Sequence, residues 1–219
     1  MKVVFRDVCS REGIRNLNLE LDLSRINLLY DPSEKLSTAI CNALMGLDEV
    51  LEGSILLDGI PLHEVFENEP QIRSFAYVFD EGIMLSNLSL RENLMLPLRW
   101  LNPHLNEAET DVMINSWMRT FGLALDLDQR PVVYRPGDLK LLSYVRALLI
   151  APKLLIIDDP YYLLNKRERE KLYRVLHSLK SSYPMLIASI DDDFGKPFAD
   201  ELIDLSIRQN NFAGIASLS

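Results

Sequence analysis

Leu17, Leu19, Leu21 and Leu23 alternate with Asn18, Glu20 and Asp22, the period-two pattern of a half-buried antiparallel strand. Lys2–Val8 and Asn27–Tyr30 read as further short strands beside it. A polar loop, Asp31–Lys35, then precedes a helix with Leu36, Ala39, Ile40, Ala43, Leu44 and Leu47 at helical spacing. Gly53–Gly59 reads as a strand and turn, and Ser74–Phe79 as an apolar strand ending at Asp80. From Asn87 to Asn165 the pattern is mainly helical, including Glu107–Phe121 and Leu139–Ala151. Pro152 ends that helix, and the apolar run Leu154–Ile157 predicts a central parallel strand. Asn165 and Glu168 have the spacing of a capping box opening a charged helix to Lys180. Met185–Ile190 and Leu202–Ile207 are the last strand-like segments.

Strands alternating with helices at both ends predict an α/β fold with a parallel sheet. The expected arrangement, for the reasons given below, is a P-loop NTPase-like core with N-terminal antiparallel strands and an inserted helical subdomain. The core is expected over residues 1–86 and 146–219, the subdomain over 87–145. The net charge of −9 argues against nucleic acid as a partner. Two cysteines, Cys9 and Cys41, make no disulfide framework, so a reducing, cytoplasmic setting is expected. The N-terminal apolar run is too short for a signal peptide, and no stretch approaches the ~20 apolar residues of a membrane span. Contact with a membrane is therefore expected through a partner.

A strand, a short loop and an amphipathic helix, with a later apolar strand ending in acids, form the skeleton of a phosphate-cradling NTPase. Within it, Leu154-Leu155-Ile156-Ile157-Asp158-Asp159-Pro160 resembles the apolar Walker B strand and Asp-Glu-Pro of ABC transporter nucleotide-binding subunits. Arg146-Ala147-Leu148-Leu149-Ile150-Ala151-Pro152-Lys153 resembles the approach to that strand, and Glu52–Gly59 resembles the family's turn strand. Tyr77-Val78-Phe79, Leu88–Leu94 and Leu96-Pro97-Leu98-Arg99 resemble the family's middle segment. The resemblance implies Mg-ATP as cofactor, a dimer, and a transmembrane permease as partner.

The motifs that handle phosphate depart from that pattern. With Gly46 as anchor, Asp31–Ala39 lies over the family's GPSGSGKST. The nucleotide-binding candidates are then Ser33, Glu34, Lys35, Ser37, Thr38 and Ala39. Asp31 and Leu36 replace the two defining glycines, Ser37 takes the lysine position, and Lys35 stands two residues early. Leucine cannot cheaply adopt the positive φ that glycine supplies. Carboxylates of Asp31 and Glu34 near a phosphate at ~4 Å, with an effective dielectric of ~20, would each oppose binding by about 4 kcal/mol before screening. The expected result is a polar loop that keeps the fold and gives up phosphate.

The signature position falls on Tyr134, Arg135, Pro136, Gly137 and Asp138, of which Gly137 alone matches, and proline removes a backbone donor. Asp80 stands at the Q-loop glutamine, Asp159 at the catalytic glutamate and Ile190 at the switch histidine. Arg11 and Glu12 stand where an aromatic would stack on adenine. Thr38, Asp80 and Asp158 are the candidate Mg²⁺ ligands; the other reading of Asp158 is a strand-end carboxylate capping neighbouring backbone. His63, His104 and His177 belong to no motif.

Asp80–Leu85 resembles a variant in Mla/Mce-type lipid-transport subunits. Met84, Leu85, Leu94 and Leu96 are the expected apolar groove for a permease segment. These readings converge on a catalytically impaired subunit that docks to a permease at the cytoplasmic face of the inner membrane. It would form a homodimer, or a heterodimer with an active ABC subunit. The alternative is an active ABC ATPase, which requires Lys35 to reach the phosphates; a third reading is a stand-alone interaction protein.

Overall fold

The structure, a computed structural model, describes residues 1–33, 35–68, 75–101, 104, 106–191 and 197–206. Glu34 and the predicted end of the last strand at Ile207 lie outside them. The chain forms two compact units. One comprises Met1–Ile72, Ile156–Pro160 and Pro184–Ser219, the other Arg73–Leu155 and Tyr161–Tyr183, as far as these residues are described.

In the first unit, β1 (Lys2–Ser10) lies between β2 (Leu17–Asp22) and β4 (Val50–Leu57), antiparallel to both. Burial alternates along β2 as its leucines predict: Leu17, Leu19 and Leu21 are inside. Val3 faces Leu21 on one side and Leu57 on the other, and Phe5 faces Leu19 and Ile55, so one apolar surface runs across three strands. Between Phe5 and Val8 the register slips, with Asp7 at φ 48°. Opposite that bulge Gly53 holds φ +77°, and a Cβ there would lie 2.3 Å from Arg6 O and 2.5 Å from Asp7 O. Only glycine fits.

A parallel sheet in the same unit runs in the order β7 (Leu154–Asp158), β8 (Met185–Ser189), β3 (Ile26–Tyr30), β9 (Glu201–Asp204). Leu28 sits opposite Ile187 and Leu202 in parallel register. Every residue of β7 and β8 is buried, which is why both read as continuous apolar runs. Helix α1 (Lys35–Leu44) buries Ala39, Ile40, Cys41, Ala43 and Leu44. Two short elements, β5 (Ile60–Pro61) and α2 (Leu62–Asn68), form where the pattern predicts none. With Leu62 and Val65 as its buried apolar residues, a helix of under two turns carries too little periodicity to register.

The second unit contains β6 (Phe75–Val78) and helices α3 (Leu90–Leu101), α4 (Glu107–Phe121), α5 (Pro136–Leu149) and α6 (Lys166–Leu179). Helix α4 has the predicted bounds: the Asn106 side chain accepts from the Ala108 and Glu109 amides, and Gly122 ends it at φ 58°. The predicted capping box on α6 is present in both directions. Helix α5 begins three residues before the predicted Leu139, because Pro136 at its first position is pre-set for a helical start, and stops before Ala151, which has φ 46°. Phe121 and Tyr144 stack at 5.8 Å within this unit's core. Among the described residues no helix is long and apolar enough to cross a membrane.

Gly53→Ala should lower stability by about 2 kcal/mol or more, from a left-handed φ plus backbone overlap. Urea denaturation of the two proteins measures it, and an unchanged midpoint would refute the close approach.

Candidate functional site

The site is built where β3 hands over to α1. Asp31, fully buried, follows the strand, and its amide donates to Ser189 O at 3.0 Å on neighbouring β8. Its carboxylate turns onto the start of α1. Oδ1 accepts the Ser33 amide at 3.0 Å and the Ser33 hydroxyl at 2.7 Å. Oδ2 accepts the amides of Leu36 at 2.8 Å and Ser37 at 3.0 Å. These amides are helix N-terminal donors with no partner inside the helix, the groups that ordinarily cradle an anion. Here the chain's own carboxylate takes two of them. The sequence suggests Asp31 as a charge set against phosphate; the geometry makes it the anion itself.

The other loop positions follow from this arrangement. Ser37 is buried, so a lysine in its place would start from a closed position, while Lys35 is exposed at the first residue of α1. Ala39 packs into the core. Thr38 and Asp158 do come together: the Thr38 hydroxyl donates to Asp158 Oδ1 at 3.0 Å, pinning α1 to the end of β7. Asp158 is only 6% exposed, and its charge adds to burial in pushing the Cys41 thiol well up. Asp159 donates its amide to Ala188 O at 3.0 Å and holds φ 31°, a left-handed conformation worth about 1–2 kcal/mol of strain. Ile190, at the switch position, is exposed. Glu12, at the sequence position where the resemblance expects an aromatic, is fastened by its amide to Asp48 Oδ1 and by its carboxylate to Asn42 Nδ2, each at 3.0 Å.

Within the second unit the signature positions start α5. Arg135 forks onto Asp138, with Nε–Oδ2 at 3.0 Å and Nη2–Oδ1 at 2.8 Å, and also reaches Glu168 Oε1 at 3.2 Å. Pro136 brings no amide to this helix start, and a Cβ on Gly137 would sit 2.9 Å from Leu163 O. The Tyr134 hydroxyl donates to Asp126 O at 2.8 Å. Asp80 caps the Glu81 amide at 2.8 Å. Two residues on, Gly82 lies against the backbone of Lys140, a fully buried lysine whose Nζ donates to Phe79 O at 2.8 Å. Lys140 was not singled out by the sequence motifs. Its one signal is a cation set among apolar residues on a buried helix, a feature it shares with Arg146.

Of the four groove residues, Leu94 is fully buried: Leu90, Leu94 and Leu98 share the inward face of α3 at four-residue spacing. Leu85 and Leu96 are exposed, Met84 half-buried. Buried Asn93 fastens the loop before α3, accepting the Leu85 amide at 2.7 Å and donating to Leu85 O and Ser89 O.

The family model described as ABC transporter matches residues 37–162, more than half of the chain. The chain belongs to the ABC transporter family, as its ATP-binding domain. Among its relatives, the molybdenum import ATP-binding protein ModC of Paramagnetospirillum magneticum is 28% identical over 90% of this chain and 54% of its own length. The glutamine transport ATP-binding protein GlnQ of Escherichia coli is 24% identical over 92% of this chain and 86% of its own. The chain thus spans about half the length of the molybdenum import relative. A dimeric ATP-binding cassette bound to ADP and Pi superposes with a TM-score of 0.79 at 18% identity, covering 93% of this chain and 94% of that one. An ATP-binding subunit of an ABC transporter gives 0.76 at 22%, covering 100% and 96%. These superpositions fix the fold: an ABC cassette with antiparallel N-terminal strands, a parallel sheet and a helical part.

Asp31→Ala leaves the Leu36 and Ser37 amides without their acceptor and should destabilise the chain by about 2–4 kcal/mol. Asp31→Asn, which retains one acceptor oxygen, should lose less. Chemical denaturation of both variants checks the order; equal stability of all three proteins would contradict it.

Proposed function

We propose that this chain is a nucleotide-binding-type subunit of an ABC transporter that serves as a docking and structural partner of a permease, with ATP turnover weak or lost. One observation carries the reading: the Asp31 carboxylate on the Leu36 and Ser37 amides. A phosphate would have to displace two charge-assisted hydrogen bonds, together on the order of 3–6 kcal/mol. That corresponds to a factor of about 10² to 10⁴ in dissociation constant. No lysine stands at position 37 to offset the loss. The paired Arg135 and the Pro136 start of α5 argue in the same direction for the signature. An active partner subunit would then supply the chemistry in a heterodimer, at the cytoplasmic face of the inner membrane. A helical subdomain over 87–145 would present the docking surface. The import proteins among the relatives favour import, while a lipid cargo rests on the Asp80–Leu85 stretch alone.

The second reading, an active ATPase, draws on one observation: Thr38 and Asp158 stand within hydrogen-bond distance, where a shared Mg²⁺ would need both. Binding heat and melting temperature under Mg·ATP separate the two readings. The wild type should show neither heat nor shift up to millimolar ATP. The variant Asp31→Gly, Leu36→Gly, Ser37→Lys should gain both, since saturation at 100 times the dissociation constant adds about 2.7 kcal/mol. A wild-type shift at micromolar ATP would overturn the impaired reading.

A further inference from the structure

Helix α6 turns Leu172, Val175 and Leu176 inward, so Lys166, Arg169, Glu170, Tyr173 and Arg174, at three- and four-residue spacing, share its outward face. These five side chains and Tyr161, from the turn before the helix, line a cleft of about 420 Å³ within the second unit. Three of the lining residues are cations and, among those described, Glu170 alone is acidic. In a chain of net charge −9 this is a local reversal of sign.

The chain itself sets these groups in place. The Asn165–Glu168 capping box fixes the first turn of α6, which carries Lys166. Arg169 Nε donates to Leu164 O at 2.8 Å, and the same guanidinium lies 5.4 Å over the Tyr161 ring. The turn beneath them closes with the Leu164 amide on Tyr161 O at 3.2 Å and holds Leu163 at φ 65°, a conformation that leucine adopts only at a cost. Tyr173, farther along the helix, lies 6.0 Å from the His177 ring. Arginine and tyrosine carry much of the binding energy where proteins meet: a guanidinium grips a carboxylate with two hydrogen bonds, and a ring gives up little freedom on contact.

We infer that this face of α6 binds an acidic segment of a protein partner, with carboxylates on Lys166, Arg169 and Arg174 and an aromatic side chain against Tyr161 and Tyr173. Such binding requires neither ATP nor a permease and so goes beyond the function proposed above. Glu170, set among the cations, supplies the register. A carboxylate laid over it is repelled, so the acids of the segment fall to either side. That favours acids spaced by aromatic residues over a continuous polyanion, which the net charge of −9 also repels.

The test titrates the purified full chain into a fluorescein-labelled peptide of alternating glutamate and tyrosine and follows its anisotropy. A saturable rise is expected, weakening as salt is added. Lys166→Glu combined with Arg174→Glu should lower the affinity about tenfold or more at an unchanged melting temperature, since both side chains are exposed. Lys166→Gln with Arg174→Gln, which removes the attraction without adding repulsion, should fall between that variant and the wild type. Arg11→Glu with Arg25→Glu, in the first unit, makes the same change of net charge and should leave the affinity where it was. A peptide with glycine in place of tyrosine should bind more weakly. Equal losses in the two Glu double variants would reduce the effect to net charge and overturn the site, as would the absence of a saturable rise. Tighter binding of heparin or single-stranded DNA than of the peptide would assign the face to polyanions and overturn the peptide reading.

Discussion

A helix that starts immediately after a buried strand leaves its first amides needing an acceptor where little water reaches, and an anion answers them most strongly. In phosphate-binding loops the ligand supplies that anion. In this chain Asp31 supplies it from within, and the details of the first unit follow. The carboxylate can reach the Leu36 and Ser37 amides because the Asp31 amide is fixed to Ser189 O, which holds the residue at the end of β3. With its N-terminus satisfied, α1 is set to bury Ile40 and Cys41, and Thr38 meets Asp158 at 3.0 Å. A cassette that folds with this helix start already satisfied is the physical consequence.

The second unit shows the same preference for internal pairing over ligand-ready groups. Arg135, Asp138 and Glu168 saturate one another at the start of α5, and Glu168 also closes the capping box of α6. Buried Lys140 spends its ammonium on the Phe79 carbonyl beneath the segment leading to Gly82. Arg146 is the contrast, a withdrawn guanidinium facing an open apolar groove. Where phosphate chemistry is expected the polar groups are satisfied at home.

Much of the fold was legible in the sequence because its signals are periodic or chemical: alternating leucines in β2, unbroken apolar runs in β7 and β8, and the Asn165–Glu168 box of α6. Helix α2 was not, being too short to show a period, and the start of α5 was set by Pro136 rather than by apolar spacing. At the site, composition revealed the missing glycines and lysine, and motif order placed Thr38 and Asp158. The direction of a side chain was beyond it. Asp31 reads as repulsive when only its charge is known, and becomes a helix cap once its two oxygens are located. Likewise Leu94 reads as a groove residue until the phase of α3 turns it inward.

The most direct measurement follows the backbone amide resonances of Leu36 and Ser37 by nitrogen-15 NMR while Mg·ATP is added to millimolar concentration. If Asp31 holds these two amides, both signals stay downfield, protected from exchange and unmoved by nucleotide, and both shift in Asp31→Ala. Saturable movement of the two wild-type signals with ATP would mean that phosphate displaces the carboxylate, and the account of a self-occupied cradle would be wrong.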